Sequence, residues 1–256
     1  MIKAAFFDVD GTLLSFHTHT VRDSAKKAIA KLQEKGILCI VATGRHMIQF
    51  SKLPVAEIPF DAFVMLNGQL VLDKAQNVLH GVPIKGKARD FLIEKFNDHT
   101  YPAILIEERD MYLNVITDHV KDVHRVISVV MPEESPYKGG EIYQVCAYLR
   151  PGEEHLVDPI AKDCVMTRWY YGGMDIIAGG GGKMAGIKWY LDHAGIAPEE
   201  IIAFGDAEND LDMLRFAGIG VAMGNSEAEV KAVADFVTAD VDDDGIEKAL
   251  KHFNLI

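Results

Sequence analysis

The sequence lacks an excess of basic residues and lacks any long apolar run, and each absence excludes a class of partner. Its 38 acidic residues outnumber 26 basic ones and give a net charge of −12. That balance argues against binding to nucleic acids or anionic membranes, because both need positive patches. No apolar run reaches the ~20 residues of a membrane span, and the N-terminus leads straight into a strand-like run. We therefore expect neither nucleic acid nor membrane as a partner.

Cysteine is also scarce, since the 256 residues include only Cys39, Cys146 and Cys164. Each lies in an apolar strand-like run, and their spacing does not match that of metal ligands. A free buried cysteine behaves as a small apolar residue, so we expect three reduced core residues. Reduced thiols predict a cytoplasmic protein.

Two carboxylates at the end of an apolar run are the most informative feature that is present. The run Ala4–Phe7 leads into Asp8 and Asp10, followed by Gly11 and Thr12. A buried parallel strand reads as a continuous apolar run, and open α/β sheets place their chemistry at its carboxyl end. A calcium loop is excluded because its twelfth position, which needs Glu, is His19. An ordinary polar turn stays possible on this motif alone.

Polar groups follow further strand-like runs in the same way. The apolar run 37–42 stops at Thr43, Gly44 and Arg45, and the run 201–204 stops at the acidic segment 205–210. Between them, Gly179–Gly182 leads into Lys183 and an amphipathic helix. Because the carboxyl ends of parallel strands meet at one edge of a sheet, these groups are expected on one face. Carboxylates, a hydroxyl and a lysine together suit the handling of a phosphate.

Four motifs in this order resemble the haloacid dehalogenase superfamily of phosphohydrolases. They are the segment Asp8–Thr12, Thr43, Lys183 and the segment Gly205–Asp210. The short spacing between the first two motifs leaves no room for a domain, whereas a long insert separates Thr43 from Lys183. Together with Asn67 and Gly68, this pattern is similar to the Cof-type group, which resembles bacterial sugar-phosphate phosphatases with an α+β cap of the C2 type.

The pattern of elements predicts an α/β fold, with a Rossmann-like, doubly wound parallel sheet in residues 1–82 and 178–256. Ala25, Ala28, Ile29 and Leu32 share one face of the helix after the first strand, and Gly36 suits its end. Residues 83–177 read as helix, two strands, helix, strand, helix and two strands. Tight turns between neighbouring strands predict an inserted antiparallel α+β domain.

The resemblance implies a role for each carboxylate of the first motif. Asp8 is expected to attack phosphorus and form an aspartyl-phosphate, which divides hydrolysis into two easier steps. Asp10 is expected to protonate the leaving oxygen and then to take a proton from water. The alternatives are a solvated turn residue for Asp8 and a helix cap for Asp10.

The acidic residues also predict a metal ion. Like charges ~4 Å apart repel by about 4 kcal/mol per pair at an effective dielectric of roughly 20, so Asp8, Asp206 and Asp210 need a cation beside a phosphate. Oxygen ligands without nearby His or Cys favour Mg²⁺. The resemblance implies ligation by the carboxylates of Asp8 and Asp206 and the backbone carbonyl of Asp10. Asp210 is expected to orient a water molecule or Lys183.

Substrate contacts complete the expected site. Thr43 and Lys183 are expected to hold the phosphoryl oxygens, the lysine with charge complementary to the transition state. The further candidates for substrate contacts are Gly44, Arg45, Asn67 and Asn209. The aromatic residues Trp169, Tyr170 and Tyr171 suit either a sugar pocket or packing inside the cap, and both interpretations stay open.

The expected function is that of an Mg²⁺-dependent phosphatase for small phosphate esters, above all sugar phosphates. A phosphotransferase or phosphomutase would use the same intermediate and pass phosphate to a sugar acceptor. A non-catalytic sensor of phosphorylated ligands is less favoured, because a binding site alone would not need the second carboxylate at Asp10. The cap is expected to select the leaving group, because the core motifs suit only the phosphoryl group.

Overall fold

The computed structural model describes residues 1–127 and 131–256, apart from the side chains of Ile127 and Tyr170. These residues divide into two units. The first, the core unit, contains Met1–Arg45, Phe50–His80 and Lys183–Ile256. The second, the inserted unit, contains His46–Gln49 and Gly81–Gly182. A division into two structural domains at 82/83 and 177/178 stays a prediction.

The elements alternate along much of the chain. The strands are β1 Ala4–Phe7, β2 Leu38–Ala42, β3 Ala62–Met65, β4 Leu70–Asp73, β5 Val78–Gly81, β6 Ala103–Ile106, β7 Met111–Leu113, β8 Gln144–Ala147, β9 Cys164–Tyr170, β10 Gly173–Ala178, β11 Ile201–Gly205, β12 Ile219–Ala222 and β13 Phe236–Val237. The α-helices are α1 Asp23–Glu34, α2 Met47–Phe50, α3 Gly86–Asn97, α4 Asp118–Ile127, α5 Lys183–Ala194, α6 Leu211–Phe216, α7 Ala228–Val233 and α8 Gly245–His252.

The core unit is built on an eight-stranded sheet in the order β13-β12-β11-β1-β2-β3-β4-β5. Strand β1 pairs in parallel with β11 on one side and with β2 on the other, so that Ala4 lies opposite both Ile201 and Leu38. The side chains of β1 are fully buried, as its continuous apolar run predicts. The α/β class is confirmed, and the carboxyl ends of β1, β2 and β11 lie side by side.

One edge of this sheet differs from the parallel pattern. Strand β4 runs antiparallel to β3, with Ala62 opposite Asp73. The connection is the short 3₁₀ turn Leu66–Gly68, in which Leu66 and Asn67 both have a φ of 52°. A parallel partner needs a crossover of roughly a dozen residues, so this short left-handed turn can only reverse the chain. Strand β3 is therefore followed by a reversal of the chain at Asn67 and Gly68.

Helix α1 has the predicted apolar face, with Ala25, Ala28, Ile29 and Leu32 buried. Gly36 lies just beyond the helix with a φ of +76°. That left-handed conformation has little steric cost for glycine, so it allows the chain to leave the helix and enter β2. The return of the chain to β2 is thus set by a local signal in the sequence.

The inserted unit contains a five-stranded sheet in the order β7-β6-β8-β10-β9, and its pairs are antiparallel. The expected helix between β8 and β9 is wrong: the described chain forms the two 3₁₀ turns Glu154–Leu156 and Asp158–Ile160. Pro159 explains the difference, because proline donates no backbone hydrogen bond and disfavours the helical conformation of the residue before it.

The three cysteines are buried or half-buried, whereas Trp169 and Tyr171 of the aromatic segment are exposed. Cys39 and Cys164 are buried, Cys146 is half-buried, and all three are free thiols. Trp169 is 36% exposed and Tyr171 is 66% exposed, which excludes core packing for Tyr171. The Tyr170 side chain lies outside the described part of the chain. Among the described residues, no helix is both long and apolar enough to cross a membrane.

Candidate active site

The turn after β1 places the first motif at the edge of the core sheet. The carbonyl of Val9 accepts hydrogen bonds from the backbone amides of Leu13 and Leu14 at 3.0 and 2.8 Å. Gly11 within this turn has a φ of +81°, and a Cβ atom there would lie 2.1 Å from Oδ2 of Asp206. Glycine is therefore required twice, for its backbone conformation and for the close approach of a carboxylate.

The loop after β11 brings in the second acidic pair. Asp210 is fully buried, and its Oδ2 accepts hydrogen bonds from the amides of Asp206 and Ala207 at 3.0 and 3.2 Å. The Asp206 carboxylate accepts a hydrogen bond of 3.0 Å from the hydroxyl of Thr12 in the first motif. This contact joins the two acidic motifs directly, and the sequence interpretation gave Thr12 no such role.

Lys183, at the start of α5, contacts the carboxylates of both acidic motifs. Its Nζ donates to Oδ1 of Asp8 at 2.5 Å and to Oδ1 of Asp210 at 2.6 Å, and its side chain is 1% exposed. Lys183 is the first residue of α5, so the helix start fixes where its side chain begins. The ammonium is thus held between two carboxylates away from solvent.

Gly186 sets how closely α5 lies to the sheet. A Cβ atom at Gly186 would lie 2.7 Å from Cγ1 of Val64 and 2.8 Å from the Cα of Gly68. The backbones therefore approach without a side chain between them, which places Lys183 within reach of Asp8. The resemblance favours glycine immediately after this lysine, where the chain has Met184, and the close approach is made two residues later. A small residue on an apolar helix face is the signal for this contact.

Thr43 lies buried at the end of β2, with its backbone amide bonded to the carbonyl of Val64 at 2.9 Å. Its Oγ1 accepts a hydrogen bond of 3.2 Å from the amide of Arg45. Its carbonyl accepts one of 3.0 Å from the amide of Asn67. The ends of β2 and β3 are thereby held together, and β2 pairs directly with β1.

The candidates for substrate contacts lie in two different places. A Cβ atom on Gly44 would lie 3.0 Å from both terminal atoms of the Asn67 amide, so these two residues share one surface. Asn209 is exposed in the loop after β11. Arg45 instead forms a two-point ion pair with Asp10, from Nε to Oδ2 and from Nη2 to Oδ1, both at 2.7 Å. Its predicted contact with substrate stays a prediction.

Burial and like charge dominate the electrostatics of the acidic cluster. Burial raises the pKa of Asp8, Lys183 lowers it, and the neighbouring carboxylates raise it again, so that it lies well above its usual value. Burial and then Asp210 raise the pKa of Asp206 to about 7. Burial lowers the pKa of Lys183, but Asp210 and Asp8 raise it more, so the ammonium stays charged.

The geometry fits a divalent cation. Asp8, Asp206 and Asp210 each offer a carboxylate oxygen, and these three oxygens lie within 4.8 Å of one another. One lysine charge does not balance three carboxylates, and oxygen donors are those that Mg²⁺ prefers. Asp210 already accepts hydrogen bonds from Lys183 and two backbone amides, whereas Asp206 accepts one from Thr12. Asp206 is thus freer than Asp210 to bind a metal.

Comparison with known proteins agrees with this geometry. The model of the haloacid dehalogenase-like hydrolase family matches residues 5–250, so the chain belongs to that family. Its resemblance to the Cof-type phosphohydrolases is confirmed, and the protein is a phosphatase-type hydrolase.

Individual relatives extend over almost the whole chain. "Putative phosphatase YkrA" of Bacillus subtilis (strain 168) is 32% identical, covering 99% of this chain and 98% of that protein. Pyridoxal phosphate phosphatase YbhA of Escherichia coli (strain K12) is 28% identical and covers 93% and 94%. The solved structure of the subclass IIB sugar phosphatase BT4131 is 35% identical, with a TM-score of 0.85 and coverage of 99% and 100%.

The raised pKa of Asp206 predicts how stability depends on pH without metal. The folded protein holds a proton at Asp206 up to about pH 7, whereas the unfolded chain loses it near 3.8. The unfolded state therefore binds fewer protons in this window, and the free energy of unfolding falls as the pH rises from about 4 to 7. One pKa unit equals about 1.4 kcal/mol, so the loss is at most ~4 kcal/mol.

The measurement is the melting temperature in EDTA at several pH values, for the wild type and for Asp206→Asn. The amide does not titrate, so the variant is expected to melt at a higher temperature than the wild type near pH 8, with a smaller difference near pH 4. Subtracting the two curves removes the contributions of other groups. A difference that is constant across this window would contradict the assignment.

Proposed function

We propose that the protein is an Mg²⁺-dependent phosphatase that hydrolyses small phosphorylated metabolites, above all sugar phosphates, through an aspartyl-phosphate on Asp8. The observation that supports this most is the cluster at the end of β1, in which Lys183 Nζ lies 2.5 Å from Asp8 and Asp206 lies close by. A buried carboxylate beside a fixed cation suits attack on a phosphoryl group, because the ammonium stabilises the charge on phosphorus in the transition state.

Each residue has a defined part in the first step. A carboxylate oxygen of Asp8 forms a bond to phosphorus while the bond from phosphorus to the ester oxygen breaks. Asp10 gives its proton to the departing oxygen, and Thr43 and Lys183 hold the phosphoryl oxygens. Asp8, Asp206 and the carbonyl of Asp10 would hold Mg²⁺, which supplies positive charge against the phosphate dianion.

The second step regenerates the enzyme. Asp10, now a carboxylate, takes a proton from a water molecule as that water attacks phosphorus, and the bond from Asp8 to phosphorus breaks. Inorganic phosphate leaves and Asp8 is again a carboxylate. Asp210 keeps Lys183 in place throughout, because it is buried and bound to the ammonium at 2.6 Å.

The preference for sugar phosphates rests on the Cof-type pattern and on the relatives. One relative is a sugar phosphatase and another is a pyridoxal phosphate phosphatase, so the family accepts different leaving groups on the same chemistry. The charged groups around Asp8 suit the phosphoryl group and do not distinguish one alcohol from another. We therefore assign the choice of leaving group to the inserted unit.

The test is phosphate release from a panel of sugar phosphates, nucleotides and pyridoxal phosphate with Mg²⁺. We expect the highest kcat/KM for a pentose or hexose phosphate, with Asp8→Asn as the inactive control. A preference for nucleotides or pyridoxal phosphate by more than ~10-fold would overturn the substrate class, since tenfold is about 1.4 kcal/mol of discrimination. Transfer of phosphate to an added sugar faster than to water would favour a phosphotransferase, and binding without turnover would favour a sensor.

A further inference from the structure

We propose that Arg45 is a positioning residue for Asp10, and that His46 in turn fixes Arg45 through the backbone. This inference rests on the proposed function, in which Asp10 exchanges a proton with the leaving group and with water. The two residues would determine where the Asp10 carboxyl points, and hence how fast esters with poor leaving groups react. The sequence predicted Arg45 as a substrate contact instead.

The first observation is that Arg45 occupies both oxygens of Asp10. Its Nε and Nη2 each donate over 2.7 Å to a different carboxylate oxygen. The side chains are 19% and 29% exposed, so the pair is partly shielded from solvent. A planar guanidinium bound at two points fixes the orientation of a carboxylate as well as its position. Asp10 is therefore held by a specific partner from the neighbouring strand end.

This arrangement has a consequence for proton transfer. A carboxyl group that serves a leaving oxygen must turn one of its own oxygens toward the substrate. Each carboxyl oxygen has two lone pairs and accepts only one hydrogen bond from Arg45, so it can face the substrate while that bond stays in place. The two bonds to Arg45 then limit rotation of the Asp10 side chain. Arg45 thus restricts Asp10 to a few orientations.

The second observation is that the backbone of Arg45 is fixed from the core side. Its amide donates to Oγ1 of Thr43 at 3.2 Å, and its carbonyl accepts from the amide of Leu66 at 3.2 Å. Both peptide groups of Arg45 therefore have partners in the loops that form the site. The guanidinium starts from a defined point at the end of β2.

The third observation is that the next residue, His46, is buried and held at three atoms. Its Nδ1 accepts from the amide of Ile48 at 3.2 Å, and its own amide donates to Oε1 of Gln49 at 3.1 Å. An accepting Nδ1 leaves the hydrogen on Nε2, which donates to the carbonyl of Glu108 at 3.0 Å. Burial lowers the pKa of His46, which favours this neutral form.

These contacts fix the chain on both sides of the Arg45–His46 peptide bond. A buried imidazole with both nitrogens bonded has little freedom, and His46 is joined directly to Arg45 in the chain. His46 therefore acts on Asp10 only through Arg45.

The test compares two substrates that differ in how much they need a proton on the leaving group. A hexose phosphate releases a poor alkoxide, whereas p-nitrophenyl phosphate releases a stable phenolate. A general acid contributes roughly 10²–10⁴-fold, so loss of its positioning in Arg45→Met should lower kcat for the hexose phosphate by ~10–100-fold. We expect less than ~3-fold change in kcat for p-nitrophenyl phosphate, because its leaving group depends little on this proton.

Further variants separate positioning from a merely structural role. Arg45→Lys keeps one contact and should lose less than Arg45→Met. His46→Gln keeps a donor in place of Nε2 and should retain most activity, whereas His46→Ala should show the same selective loss as Arg45→Met, to a smaller extent. Arg22→Met removes an exposed arginine that pairs with Asp244, and it serves as the matched control. The melting temperature of each variant would be measured to check that the variant is folded.

Three results would overturn the inference. Equal losses on both substrates would assign Arg45 to the phosphoryl chemistry, and a raised KM with weaker inhibition by inorganic phosphate would make it a substrate contact. Failure of the proposed function is distinguishable, because the wild type itself would then fail to hydrolyse the hexose phosphate. A wild type active on both esters, with no selective effect in Arg45→Met, would reject this inference alone.

Discussion

Asp8→Asn is expected to lower turnover by at least ~10³-fold while leaving the fold intact, because the amide is nearly isosteric but is a poor nucleophile. The carboxylate it replaces is the one that Lys183 holds at 2.5 Å at the end of β1. Loss of its negative charge also removes one of three carboxylates that lie together in a buried cluster. The metal-free variant should therefore melt at the same temperature as the wild type or higher at neutral pH.

The measurement is the steady-state rate with a hexose phosphate and Mg²⁺, together with the melting temperature. Asp10→Asn supplies a second arm, since it keeps the nucleophile and lacks the group that activates water. With an activated ester, this variant should accumulate a phosphoryl group on Asp8, detectable by mass spectrometry of the peptide that contains residues 4–13. Near-wild-type rates in Asp8→Asn, or a phosphoryl group on another residue, would contradict the nucleophile assignment.

Removal of metal by EDTA should lower the rate by at least ~10²-fold, since a bound cation supplies several kcal/mol of charge stabilisation. Asp8, Asp206 and Asp210 would otherwise face a phosphate dianion, and the single ammonium of Lys183 in their midst does not balance these charges. Mg²⁺ should restore activity. Ca²⁺ should bind and support little turnover, because its larger and looser ligand shell of six to eight oxygens tolerates geometries unsuited to in-line attack.

A binding readout separates the metal from the chemistry. Mg²⁺ should raise the melting temperature of the wild type at pH 8, and Asp206→Asn should show a much smaller rise. Asp212→Asn, which alters an exposed carboxylate in the following helix, is the matched control and should respond like the wild type. Full activity in EDTA, or equal shifts in both variants, would contradict the metal assignment.

The sequence could predict that the four motifs meet, because each motif is a short local pattern and the parallel sheet brings the ends of its strands together. The carboxylates of Asp8 and the loop at Asp210 directly follow apolar runs, and parallel strands bring their carboxyl ends together. The burial of the α1 face and the left-handed Gly36 are likewise encoded within a few residues. The roles assigned to the site residues stay predictions until the variants are measured.

Other features depend on contacts that no local pattern encodes. The pairing of Arg45 with Asp10 spans 35 residues and depends on side-chain rotamers at the ends of two strands. The reversal after β3 depends on two non-glycine residues in a left-handed conformation, Leu66 and Asn67, and apolar periodicity does not signal it. The helix expected between β8 and β9 failed at Pro159, where the position of a single residue outweighed the pattern around it.

The boundary between Gly182 and Lys183 bears on how relatives of this protein can diverge. An exchange of residues 81–182 by recombination would replace one continuous stretch of coding sequence and would leave the acidic cluster and its lysine unaltered. His46 would then meet a foreign segment where Glu108 now lies. Because the His46 imidazole donates to a backbone carbonyl, almost any residue in the place of Glu108 would supply the same acceptor. With the choice of leaving group assigned to the inserted unit as proposed above, a new substrate preference would be inherited as one block, with the catalytic residues unchanged.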